Sequence, residues 1–128
     1  IGGLVAITAE PLMPSPLASI LIGAVGGVIV VYGTKLLFSL KIDDVVGAIP
    51  AHLFAGIWGT LAVPITNSGA SFGTQLLGVV SINAFVFIVS FIVWFLMKST
   101  FGIRLSKEGE TKGTDVTETG VIAYAIRD

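Results

Sequence analysis

Residues 45–65 read VVGAIPAHLFAGIWGTLAVPI and follow directly on Asp43 and Asp44. About 20 apolar residues in a helix suffice to cross a bilayer, so this stretch is long enough to span one. It also carries the chain's only histidine, His52. An ionisable ring inside a membrane-length segment is costly unless it has partners, and it marks a functional position by default. The rest of the chain reads as scaffold around that ring.

The composition agrees with a membrane setting. Of the 128 residues, 54% are hydrophobic and only 12% charged, against roughly a quarter charged in soluble domains. A net charge of −1 gives no argument for nucleic-acid binding. With no cysteine and one histidine, thiolate sites and a protein-only zinc site are not expected. No cofactor is called for. The spans hold no nucleophile–base pair, carboxylate pair or phosphate-binding glycine loop, so an enzyme is not expected either.

Working outward, two further spans flank the histidine helix, giving transmembrane segments at about residues 17–40, 45–65 and 75–97. The first has Ser19, Gly23 and Gly27 at every fourth position, a face that a neighbouring backbone can approach closely. Before it, residues 10–16 (EPLMPSP) hold three of the five prolines and read as a loop. Residues 1–9 (IGGLVAITA) are too short to span. They are expected to end a helix that begins earlier in a longer chain. Residues 66–74 (TNSGASFGT) form a second loop. The membrane part thus covers residues 1–98, and a polar tail covers 99–128. By composition alone that tail is solvated and mostly disordered, although VIAYAI at 121–126 is apolar enough to dock.

The basic residues set the orientation, because cytoplasmic loops carry the excess of lysine and arginine. Lys35 and Lys41 lie between the first two spans, and Lys98, Arg104, Lys107, Lys112 and Arg127 follow the third. The loops at 10–16 and 66–74 hold none. A multi-pass protein of the cytoplasmic (inner) membrane with its tail inside is expected.

On an α-helix, Ala48, Ala55, Gly56, Gly59 and Val63 fall near the same face as His52, with Leu53, Phe54, Ile57, Trp58 and Leu61 to the sides or opposite. A small-residue stripe permits either a tightly packed neighbour or a narrow cavity. The ring shifts the balance toward the cavity, since a neutral imidazole brings one donor and one acceptor to satisfy. The plainer alternative is a histidine bonded to another helix for structure alone. Asp44, immediately before the apolar run, is the expected N-cap. Pro50 would then sit beyond the first turn and orphan the carbonyl of Val46, so the helix should kink or start irregularly just before His52.

The run IDDVVGAIPAHLFAGIWGTLAVP at 42–64 resembles the second histidine signature of the ammonium transporter family (Amt/Mep/Rh), in which an aspartate pair precedes a histidine and a glycine-rich G-x-W-G helix. The similarity continues through GGLVAITA at 2–9, FGIRLS at 101–106 and DVTETGVIAYA at 115–125, and so covers nearly the whole chain. It implies an all-α polytopic membrane protein, here a fragment of an eleven-helix bundle that assembles as a homotrimer. This chain would be its C-terminal third: the end of one helix, three full transmembrane helices and the cytoplasmic tail. It further implies ammonium or ammonia as substrate, passing through a hydrophobic pore with a histidine pair. His52 matches the second of the pair, and Ala48 matches a pore-lining position, with Gly56 beside it. Asp43 and Asp44 match the structural aspartate pair. Where many relatives carry a third aspartate, this sequence has Gly47. In the tail, Gly102, Arg104, Asp115, Gly120 and Tyr124 match a regulatory pattern that in relatives couples subunits and contacts PII-type signal proteins. Two other functions stay open at this point. One is an ammonium sensor signalling through the tail, and the other is a small structural membrane subunit.

Overall fold

The computed structural model describes residues 1–123. Every regular element among the described residues is a helix, and three are long and apolar enough to cross a membrane: Pro16–Ser39, Ile49–Thr66 and Phe72–Thr100. The chain divides into two compact units, residues 1–85 and 86–128.

In the first unit, α1 (Gly2–Ile7) is a short helix packed against both α2 (Pro16–Ser39) and α3 (Ala55–Thr66). Ser15 begins α2 by accepting from the Ala18 amide at 3.3 Å, and Pro16 in the first turn forfeits no helical bond. The helix ends in a Schellman turn: the amide of Lys41 donates to Phe38 at 3.1 Å and that of Ile42 to Leu37 at 3.0 Å. Lys41 takes the left-handed position (φ 56°) there.

The face of α2 that meets its neighbours is not the Ser19–Gly23–Gly27 row. Its buried residues are Ile22, Gly26, Gly33 and Leu37, spaced by four, seven and four. That is the 3.5-residue repeat of helices wrapped about one another, and a strict every-fourth row drifts off such a seam. Gly23 still meets Gly3, but Gly27 faces open space. Gly33 takes the ring of Phe54 and the pyrrolidine of Pro50.

Two long-range polar contacts tie this unit together. The indole Nε1 of Trp58 donates to the backbone oxygen of Ile22 at 3.0 Å, and its ring packs on the cluster of Ala6, Ile22 and Ala62. At one end, Asn67 Nδ2 donates to Glu10 Oε2 at 2.8 Å. This bond joins the loop after α1 to the loop after α3, the two segments expected on one side.

In the second unit, the later half of α4 (Phe72–Thr100) carries a stacked ladder of Phe87, Phe91 and Phe95, with ring centroids 6.3 Å apart. The tail is more ordered than its composition suggests. Ser106 caps α5 (Lys107–Lys112), and a π-turn follows at Asp115–Thr119. The second half of the apolar run at 121–126, Tyr124 included, lies outside the described residues.

Candidate functional site

The histidine helix begins later than its sequence suggests. Residues 45–47 form a turn, and the chain enters a π-turn at Ile49–Phe54 before continuing as α3. Asp44 therefore does not abut the helix. Instead its carboxylate reaches over the turn and accepts from the amides of Ala48 and Ile49, both at 2.8 Å. The later start places Pro50 in the first turn, where its missing N–H costs nothing. Ala51 then bonds back to the carbonyl of Gly47 at 3.1 Å. The expected orphan at Val46 does not arise, because Val46 stands outside the helix. Gly47 sits at φ +68°, a conformation that would strain an aspartate in its place.

Two charge-assisted bonds at one helix start are expected to matter. Asp44→Ala should lower stability by about 2 kcal/mol, the upper end for a lost N-cap, read as a drop in melting temperature of the detergent-purified protein. An unchanged melt would mean that other groups satisfy the first turn. Asp43 is exposed and, with Asp44, Lys41, Thr34 and Phe38, lines a cleft of about 270 Å³ beneath this turn.

The π-turn also redistributes the small residues. In it, backbone bonds run to the fifth residue rather than the fourth; the amide of Ala55, for instance, reaches the carbonyl of Pro50 as well as that of His52. Each residue then rotates the chain by less than the roughly 100° of an α-helix. His52 consequently leaves the face of Ala55, Gly59 and Val63. Those three are buried, and Gly59 sits directly on the backbone of Ala6 in α1. His52 lines up instead with Gly56 and Thr60. These residues, with Leu53 and Ile57, form one wall of a groove of about 270 Å³, and Gln75, Gly78, Val79, Ile82 and Asn83 of α4 form the other. His52 is exposed in this groove, and its ring makes no hydrogen bond among the described residues. Ala48 is exposed too but is not among the residues lining the groove. Of the expected stripe, only His52 and Gly56 are brought together there.

Four of the five tail positions have defined roles in the local fold. Gly102 (φ +73°) follows α4 and Gly120 (φ +69°) closes the π-turn, both left-handed. Arg104 Nε donates to Glu110 Oε1 at 2.6 Å, and this bond, then the paired charge, holds the glutamate below its ordinary pKa and raises that of the arginine. Asp115 Oδ2 accepts from the Ala123 amide at 2.8 Å. That bond, then the Val116 amide, lowers the aspartate's pKa. Tyr124, the fifth, lies outside the described residues.

A carboxylate whose folded pKa is depressed contributes stability above its unfolded value and loses it as pH falls through the folded one. The Asp115 clasp should thus hold at neutral pH and open only below the ordinary aspartate value of about 3.9. The amide shift of Ala123 in 15N-alanine spectra is the readout. A midpoint at or above that value would contradict the clasp.

Comparison with known proteins places this geometry in a family. The profile of the Ammonium Transporter Family matches residues 1–124. The chain is 35% identical over 144 residues to ammonium transporter Amt2 of Archaeoglobus fulgidus, covering 97% of this chain and 31% of that protein. It is 36% identical over 129 residues to ammonium transporter Amt1 of Haloferax mediterranei, with 97% and 25% covered. Against the ammonium transporter of Bacillus subtilis, the identity is 33% over 143 residues, with 97% and 35% covered. The chain thus spans about a third or less of the length of these relatives. With the profile matching nearly all of it, the chain belongs to the ammonium transporter family.

Proposed function

We propose that this chain is the C-terminal third of an ammonium transporter and that His52 is one half of a histidine pair in its pore, the other half lying elsewhere in the protein. The observation that carries the reading is the position of the ring. It lines a groove between two membrane-length helices beside Gly56, turned away from the packed face of Ala55, Gly59 and Val63. The groove's other side chains are largely apolar. Such a wall penalises an ammonium ion far more than neutral ammonia, and an imidazole can take or return a proton as the neutral molecule passes. Gly56 keeps the wall open beside the ring, and Ala48 lies one turn before it. Asp43 and Asp44 belong to the helix start rather than to the path.

In the same reading the protein is a homotrimer of the inner membrane. The tail, through Gly102, Arg104, Asp115, Gly120 and Tyr124, is a cytoplasmic regulatory element open to a PII-type signal protein. The test is expression of the protein from its native gene in cells that lack their own ammonium uptake. Growth on low ammonium and uptake of labelled methylammonium are expected. Membranes that contain the protein yet show neither would overturn the reading.

A further inference from the structure

The turn that carries His52 is fastened to α2 from behind. In a π-turn a little more than four residues complete a revolution, since each backbone bond reaches the fifth residue. Pro50 and Phe54, four apart in Ile49–Phe54, therefore lie close to one face, and His52, midway between them, lies about half a revolution away. The burial agrees. Pro50, Ala51 and Ala55 are buried and Phe54 is half-buried, whereas His52 and Leu53 line the groove.

What Pro50 and Phe54 rest on is Gly33, a buried position of α2. A Cβ added there would stand 2.7 Å from Phe54 Cδ2, 2.9 Å from Pro50 Cβ and 3.1 Å from Phe54 Cε2. Carbon atoms in contact settle at about 3.5–4.0 Å. The phenyl ring can swing aside, but Pro50 Cβ belongs to a ring closed on the backbone and moves only with the turn. A methyl group at Gly33 thus pushes the turn, with His52 on its far side, away from α2 by on the order of half an ångström. Gly26, two turns earlier on the same helix, is equally tight against something else. Its added Cβ would stand 2.7 Å from the Ala6 Cβ and from the Gly2 oxygen, both in α1.

We propose that Gly33 is a positioning residue for His52: its bare Cα sets the depth at which Pro50 and Phe54 seat, and through that depth how far the imidazole stands into the groove. This rests on the transporter reading above, in which the ring exchanges a proton with the passing molecule. Such an exchange needs hydrogen-bond reach, about 2.6–3.2 Å between heavy atoms, so a shift of about half an ångström uses most of the permitted range. The competing role is packing alone, in which the glycine merely lets two helices approach. Packing alone governs how much protein survives in the membrane, not how fast each molecule works.

The experiment compares native protein, Gly33→Ala, Gly26→Ala, Phe54→Leu and His52→Ala, each expressed from the native gene. The readouts are the maximal rate of ammonium uptake divided by the amount of protein in the membrane, and the melting temperature in detergent. Gly33→Ala should lose about tenfold in rate per molecule, since a misplacement of about 1 Å costs roughly 100-fold. Gly26→Ala over-packs the same helix against α1, so it should melt lower and leave the rate per molecule native. Phe54→Leu loosens the seat without over-packing it, and should lower the rate per molecule about threefold, on the same scale. A native rate per molecule in Gly33→Ala, or in Phe54→Leu should Gly33→Ala not reach the membrane, would make Gly33 a packing residue and overturn the proposal. An equal loss per molecule in Gly26→Ala would overturn it too, because the effect would then belong to α2 as a whole. If either happens while His52→Ala still abolishes uptake, only this proposal fails. Native uptake by His52→Ala would remove the transporter reading and this proposal with it.

Discussion

His52→Ala is expected to reduce ammonium uptake about 100-fold, the lower end of what a positioned proton-transfer group contributes, while leaving the amount of protein in the membrane unchanged. Both halves of this outcome follow from the ring's surroundings. His52 lines the groove, away from the buried face of Ala55, Gly59 and Val63, so truncating it leaves the packing of α3 on α1 untouched. Substitutions of that kind shift stability by no more than about 0.5 kcal/mol. Neither the Asp44 bonds that start the helix nor the Gly59 contact that seats it involves the His52 side chain. What the alanine removes is the one imidazole among the described residues that line the groove, the side chain to which the transporter reading gives the proton. His52→Gln sharpens the test, because glutamine keeps a donor and an acceptor but cannot carry the proton. It should fall with the alanine variant if proton exchange is what matters, and stay near native if hydrogen bonding alone does. Native uptake by His52→Ala, with normal protein in the membrane, would remove the ring from the mechanism.

The parts of this molecule that were legible in its sequence are those set by hydropathy and length. Spans expected at 17–40, 45–65 and 75–97 are helices at Pro16–Ser39, Ile49–Thr66 and Phe72–Thr100. The largest boundary shift is at the histidine helix, and proline causes it. Pro50 fits without cost in the first turn of a helix, and the helix begins next to it rather than at Asp44. From this one displacement comes the misplaced stripe. A face computed at 100° per residue joins His52 to Ala55, Gly59 and Val63, whereas the π-turn separates them and leaves Gly56 on the side of the ring. A sequence carries little direct signal for a π-turn, although a proline two residues before a functional ring is a reason to doubt strict periodicity. The α2 face failed differently. Glycine spacing was legible, but which of Gly23, Gly26, Gly27 and Gly33 meets a neighbour depends on how helices wrap, a tertiary property. In Trp58 the need for an acceptor was predictable from its buried N–H; the identity of that acceptor, the Ile22 carbonyl, was not. Composition suggested a disordered tail because it counts few apolar residues. The order present instead comes from specific polar clasps at Arg104, Asp115 and Thr117, which composition cannot register.

Gly59→Ala is expected to destabilise the protein by about 3 kcal/mol, at the upper end of over-packing costs, and to deplete it from the membrane. An added Cβ at Gly59 would collide with the carbonyl oxygen of Ala6 and lie 2.8 Å from its carbonyl carbon and Cα. These are backbone atoms, so no side-chain rotation relieves the clash. Nor can α1 retreat, because α2 holds it from another side. At Gly26 a Cβ would already stand 2.7 Å from both the Ala6 Cβ and the Gly2 oxygen, so α1 is clamped between two glycines. Gly27→Ala is the control, since nothing lies within 4 Å of its added Cβ and alanine is the better helix former by about 1 kcal/mol. It should melt at or above the native temperature. Melting of the Gly59→Ala protein within about 0.5 kcal/mol of native would show that α1 is free to shift. The consequence for the site is specific. Gly59 and His52 lie on different faces of the same helix, one set against α1 and the other turned to the groove. Gly59→Ala should therefore lower total uptake in proportion to the protein lost, with the KM of the surviving molecules unchanged. An altered KM would mean that the seating of α3 on α1 also sets the angle at which His52 meets its substrate.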